Sequence, residues 1–169
     1  MQHNEKQSDQ VKAINPSTYL GLALLTLFFM QFILKLEWDW LSNLQQGEYY
    51  KRWSGLTIAL FITFQWLLTF SRILKKFRKH SQKMAIIHKW IGALSPLFFY
   101  IHSMGFGYGY LALLSYVFFA NTLIGYINLD VIKSDSELLF KGWMIFHVAF
   151  SIIITLLMFF HIGMVFYYK

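Results

Sequence analysis

Two apolar stretches, His88 to His102 and His147 to His161, constrain this chain more than any other feature. Each begins and ends on a histidine, and in each the two histidines are 14 residues apart. On an α-helix, 14 residues turn through roughly 1400°, only about 40° short of four full turns, and rise about 21 Å. The two histidines of a run therefore share one face, separated by most of a bilayer's roughly 30 Å hydrocarbon core. If the two helices lie side by side and parallel, histidine opposes histidine at two depths.

The setting is a membrane. The 169 residues are 57% hydrophobic and only 14% charged, against roughly 25% charged in soluble domains. The net charge is +7, but the basic residues cluster between apolar runs, where they read as topology rather than as a nucleic-acid footprint. Cysteine is absent, which excludes disulfides, iron–sulfur ligation, thiolate-ligated haem and covalent C-x-x-C-H haem attachment. Any haem is non-covalent, with histidine as its axial ligand.

The reading is all-α: an integral membrane bundle of about five transmembrane helices. Residues 1–15 form a polar tail, and 16–169 form the membrane domain. No cleavable leader is expected, because the first apolar run is long enough to span. The expected spans are about 17–36, 54–72, 84–104, 108–127 and 142–167. A loop over 37–53 carries Trp38, Trp40 and Trp53 as an interfacial belt. The turn GFGYG forces an antiparallel return between the third and fourth spans. A mixed-charge loop precedes the fifth span, with room for a short interfacial helix.

With the N-terminus inside, eleven of the fifteen Lys and Arg residues fall on inner segments, a positive-inside bias that sets the N-terminus in the cytoplasm. The third and fifth spans then run the same way. His88 faces His147 near the inner side, and His102 faces His161 near the outer side.

An ionisable residue inside a span is costly and marks a functional site by default. The plainer alternative is that each histidine is interhelical glue, but a doubled same-face spacing on two parallel helices is poorly explained that way. Zinc asks for three ligands at one depth, and no buried acid accompanies these histidines for a proton relay. His3 and His80 read as solvated. Gly92 lies one turn from His88 on its face, where a missing side chain admits a flat group. Pro96 kinks the third span. Ser95, Phe99, Ile154 and Met158 fall between the two histidine levels. Lys83, Lys89 and Arg72 are candidates to hold inner propionates, and Arg52, Lys51 and Ser103 outer ones.

At these residues the chain resembles the ferric reductase-like transmembrane domain, a superfamily that includes NADPH oxidases, metalloreductases and the haem subunit of periplasmic methionine sulfoxide reductase. The stretch HKWIGALSPLFFYIHS is similar to that family's third helix. The stretch KGWMIFHVAFSIIITLLMFFHIGMVFYY is similar to its fifth, where a tryptophan precedes the first histidine by four residues. The resemblance covers about 84–168. It implies two stacked b-type haems, with the iron ligands His88 and His147 at one site and His102 and His161 at the other. Gly92, Lys89 and Arg52 are the further cofactor-binding candidates.

No G-x-G-x-x-G segment is present, so no flavin or nicotinamide domain is expected in this chain. The implied function is a transmembrane cytochrome b subunit, part of a larger oxidoreductase, that passes electrons to an outer-side acceptor. A redox partner subunit or quinol supplies them, membrane lipid surrounds it, and the location is a bacterial inner membrane. The alternatives are a quinol-linked membrane anchor of a dehydrogenase, and a non-redox transporter or assembly factor with structural histidines.

Overall fold

The computed structural model describes residues 15–127 and 136–168. The expected polar tail, apart from Asn15, and most of the loop before the last span lie outside the described residues. Among the described residues the chain is all-helical. Helix α1 is Pro16–Leu34, α2 is Asp39–Gln46, α3 is Glu48–Gln65 and α4 is Leu67–Ile73. A 3₁₀ segment, Lys75–His80, carries the basic cluster and leads into α5, Ser81–Ala93, and α6, Ser95–His102. Helices α7, Tyr110–Tyr126, and α8, Glu137–Tyr167, complete the fold.

Three segments are long and apolar enough to cross a membrane: Pro16–Leu34, Glu48–Ile73 and Glu137–Tyr167. The bent pair of α5, with its 3₁₀ lead-in, and α6 makes a fourth if counted as one span, and α7 is a shorter apolar helix. The outward faces carry large apolar side chains such as Leu27, Ile33, Leu60, Phe146, Leu156 and Phe159. Water disfavours such a surface and lipid does not, so the chain is an integral membrane protein.

The sequence reading needs two corrections. The stretch 37–53 is not a loop, since α2 and the first turns of α3 occupy most of it. Leu41 buries itself on one side of α2, and Gln45 reaches the far end of α6. Gln45 Nε2 donates to the carbonyls of Tyr100 (2.8 Å) and Ile101 (3.1 Å), and its Oε1 accepts from the Met104 amide (3.2 Å). These carbonyls belong to the last turn of α6, which a helix leaves without internal partners. The last helix also begins earlier than expected, at Glu137, where the Ser136 side chain caps it and Lys141 pairs with Glu137 at 2.7 Å.

The predicted kink is present. Helices α5 and α6 meet at 43°, and Pro96 is fully buried at the joint. Proline has no N–H to give the carbonyl four residues back, which is that of Gly92. Leu97 bonds to Leu94 instead of reaching Ala93. The Tyr126 hydroxyl of α7 supplies the missing donor, to Gly92 O at 2.9 Å and Ala93 O at 3.3 Å. Gly21 of α1 makes room for that ring, since a Cβ there would stand 2.5 Å from Tyr126 Cζ.

Packed on this joint is an aromatic core. Phe28 of α1 lies 5.5 Å from Phe99 of α6 and 4.5 Å from Phe119 of α7, centroid to centroid. Phe106, in the turn between α6 and α7, joins it 5.5 Å from Phe119. That turn follows the GFGYG pattern, with positive φ at Gly107 (71°) and Gly109 (59°), where glycine alone is unstrained.

Gln45→Ala is expected to cost about 1 kcal/mol, because the Tyr100 carbonyl and Met104 amide lose a partly shielded partner while the Ile101 carbonyl keeps the Tyr50 hydroxyl at 2.9 Å. Thermal unfolding in detergent should record a midpoint a few degrees lower.

Candidate functional site

The expected pairing of the four histidines is what the fold produces. The His88 and His147 rings face each other with centroids 6.1 Å apart, and the His102 and His161 rings with centroids 6.5 Å apart. Low number meets low and high meets high, so α5–α6 runs parallel to α8. Ser95, Phe99, Ile154 and Met158, expected between the two levels, are all buried.

Around each pair, helix breaks and small residues position the rings. At the break between α3 and α4, the Trp66 amide turns back to Thr63 O, and the Gln65 carbonyl faces His88 Nδ1 at 3.3 Å. A carbonyl can only accept, so His88 carries its proton on Nδ1 and its Nε2 lone pair is available. The Trp66 indole ties the same break to α8 by donating to Thr155 Oγ1 at 3.0 Å. On α8, Trp143 stacks on His147 with 5.7 Å between centroids and 3° between planes. Its indole N–H donates to Ile124 O at 2.7 Å, so this tryptophan locks the ring's plane against α7. Gly125 of α7 lets the backbone approach that ring, and a Cβ would stand 3.2 Å from His147 Cε1.

The His102–His161 pair repeats the device with different residues. A Cβ on Gly55 of α3 would stand 3.1 Å from His102 Cε1. The Ser54 hydroxyl lies 3.0 Å from His102 Nδ1. The Tyr110 hydroxyl lies 3.4 Å from His161 Nδ1, a long contact with either possible donor.

A cavity of about 380 Å³ adjoins the His88–His147 pair, within the range of small-molecule and cofactor sites. Both His88 and His147 line it, as do Gly92, Ser95, Arg72 and Lys89. Three of its lining residues hold buried polar atoms without a hydrogen-bond partner: Gln65 Oε1, Asn121 Oδ1 and His147 Nδ1. The Asn121 backbone lies beside His147 Nδ1, but no bond of good geometry forms there. Buried polar atoms in native proteins almost always have partners, and these three edge the cavity without one among the described residues.

Other expected site residues fare unevenly. Gly92 does line the cavity, and a Cβ there would meet only Gln65 Nε2, at 3.8 Å. Lys89 and Arg72 line it too, whereas Lys83 is exposed. Arg52 is engaged in an ion pair with Glu48 at 3.5 Å on the surface of α3, and Lys51 is exposed. Ser103 shapes the turn, donating to Gly105 O at 2.7 Å. His80 sits exposed in the 3₁₀ segment.

Among the described residues, no three His, Cys, Asp or Glu side chains gather as a metal-ion site. The histidines meet two at a time. Ser54, Gly55, Gln65, Tyr110 and Gly125 did not stand out in the sequence. The available signal was weak: Gly55 and Gly125 interrupt apolar helices, where glycine costs up to about 1 kcal/mol against alanine. No family model, curated protein or solved structure matches the chain.

The two glycines near Tyr126 should respond oppositely to alanine. Gly21→Ala overpacks the ring and frees two carbonyls, a loss of about 1–3 kcal/mol from overpacking alone, which outweighs a helix-propensity gain of about 1 kcal/mol. Gly92→Ala meets no obstacle and should leave the unfolding midpoint unchanged or slightly raised. Equal losses in both variants would contradict this account of the joint.

Proposed function

We propose that this chain is a membrane cytochrome b subunit holding two b-type haems, one between His88 and His147 and one between His102 and His161. The observation that carries the reading is the pair of ring separations, 6.1 and 6.5 Å. Two imidazoles bonding one metal from opposite sides, each through a nitrogen about 2 Å away, have ring centres about 6 Å apart. Two ligands per site suit a metal that arrives with its remaining donors in a macrocycle.

The residues around His88 and His147 fit such a group. The cavity beside the inner pair has Gly92 and Ala85 on one wall and Phe118 and Ile154 among its apolar lining. Arg72 and Lys89 line the same cavity and supply positive charge for propionates. Gln65 O holds His88 in the Nδ1–H tautomer, which leaves Nε2 for iron. Trp143 and Gly125 fix the plane of His147. The buried side chains between the pairs, Phe99 and Met158 among them, exclude water from the path. A bis-imidazole haem supplies one-electron transfer and keeps no open coordination position for oxygen or substrate.

In this reading α1, α3–α4, α5–α6, α7 and α8 are the five spans. Helix α7, with 17 residues, is about 25 Å long and crosses with help from the turns at its ends. The N-terminus is cytoplasmic in a bacterial inner membrane, by the charge asymmetry. The resemblance to the ferric reductase-like domain supports the same assignment. Electrons enter from a partner flavoprotein, another redox subunit or quinol and leave to an acceptor on the outer side.

A reduced-minus-oxidised visible spectrum of the purified chain is expected to carry the sharp α-band of low-spin b-type haem, and its absence ends the proposal. Single replacements His147→Ala and His102→Ala should each remove about half of the haem. Doubles separate the pairing from mere histidine content. His88→Ala with His147→Ala empties one site and should keep half of the haem. His88→Ala with His161→Ala breaks both sites and should keep almost none. Equal retention in the two doubles would falsify the pairing.

A further inference from the structure

The four histidines are not held alike, and the difference falls between the two pairs. At the His88–His147 pair, among the described residues, His88 donates to a backbone carbonyl, while His147 Nδ1 makes no hydrogen bond of good geometry. At the outer pair, both contacts are side-chain hydroxyls, Ser54 at 3.0 Å and Tyr110 at 3.4 Å.

The carbonyls around Ser54 favour one placement of its hydroxyl proton. Ser54 Oγ donates to Tyr50 O at 2.8 Å, one turn back on α3. Its second carbonyl contact, Lys51 O, is longer at 3.4 Å. Both neighbours are acceptors only, so the hydroxyl proton is committed to the helix backbone and the oxygen's lone pairs face His102. His102 Nδ1 must then be the donor. Its Nε2 carries the lone pair, and Nδ1–H is polarised toward an oxygen 3.0 Å away. Gly55, next in sequence, brings the α3 backbone close to the same ring. Tyr110 imposes no such assignment on His161, because its hydroxyl is free to donate or accept.

We propose that Ser54 is a positioning residue that fixes the His102 tautomer and makes the outer metal site electronically unlike the inner one. An acceptor on the far ring N–H raises the basicity of the ligating nitrogen. A more basic ligand favours the oxidised metal, so Ser54 lowers the reduction potential of whatever iron His102 ligates. The proposal rests on the di-haem reading above.

The test is a potentiometric titration of the α-band in the full-length protein, comparing wild type, Ser54→Ala and Ser54→Thr. In Ser54→Ala, half of the absorbance change should move to more positive potential while the other half stays in place. The shift should reach about tenfold in the reduced-to-oxidised ratio at fixed potential, which is about 59 mV for a one-electron couple. Ser54→Thr keeps the hydroxyl and should titrate as wild type. Selective loss of half the haem in Ser54→Ala, with full retention in Ser54→Thr, supports the same positioning role. Unchanged potentials in Ser54→Ala with full haem content overturn it, as do equal shifts in both halves or a Ser54→Thr shift as large as that of Ser54→Ala. If Ser54→Ala does not accumulate, Ser54→Cys, whose thiol is a weak acceptor, takes its place with the same readings. A wild-type protein without a b-type α-band defeats the di-haem reading and this inference together. An α-band with potentials indifferent to residue 54 defeats this inference alone.

Discussion

The bond from the Tyr126 hydroxyl to Gly92 O, at 2.9 Å, is the interaction on which the arrangement of this bundle depends. In an apolar interior a backbone carbonyl without a donor is expensive, and Pro96 creates one at Gly92 by lacking an N–H. The fold answers with a side chain from α7 and clears space for it with Gly21 of α1. Two helices, α1 and α7, are thereby tied to the joint between α5 and α6. The 43° bend is held by neighbours instead of being left as a hinge. Because the joint is fixed, His88 on one side and His102 on the other both meet their partners on α8.

A second constraint runs through both histidine pairs. An imidazole whose ring must be aimed needs its plane and its tautomer set. Here one glycine per pair lets a helix backbone press against one ring, Gly125 on His147 and Gly55 on His102. Hydrogen bonds then act on the nitrogens: a carbonyl freed at the α3–α4 break for His88, and a serine with a committed proton for His102. The same helix, α3 with its continuation α4, therefore touches both pairs. It does so through a backbone group at one and a side chain at the other. Substitution can tune the Ser54 contact directly, whereas the Gln65 contact changes only if the helix break itself moves.

Much of this was legible in the sequence for reasons that need no tertiary information. A 14-residue spacing fixes a shared face on any α-helix, and long apolar runs mark helices able to cross a membrane. Pro96 announces a kink wherever it falls inside a helix. The tryptophan four residues before His147 lies one turn away from it, and its ring does stack on that histidine. Less legible was the stretch 37–53. Its short polar pattern with scattered tryptophans resembles a loop, and α2 exists there because Leu41 and Gln45 find partners on the rest of the fold. A basic residue near a span end is equally suited to a cofactor's carboxylate and to an acidic neighbour one turn away, and Arg52 pairs with Glu48 at 3.5 Å.

By itself, then, the sequence determined which histidines could face which, because helical periodicity and topology are local or additive properties of the chain. Only the tertiary structure decided what holds each ring. The hydroxyl of Ser54, the carbonyl of Gln65 and the bare backbone of Gly125 lie 48, 23 and 22 positions from the histidines they touch. Contacts at that separation depend on how helices cross and where they break. The break at Gln65 and the bend at Pro96 are held by hydrogen bonds to or from other helices, and no local pattern records those partners.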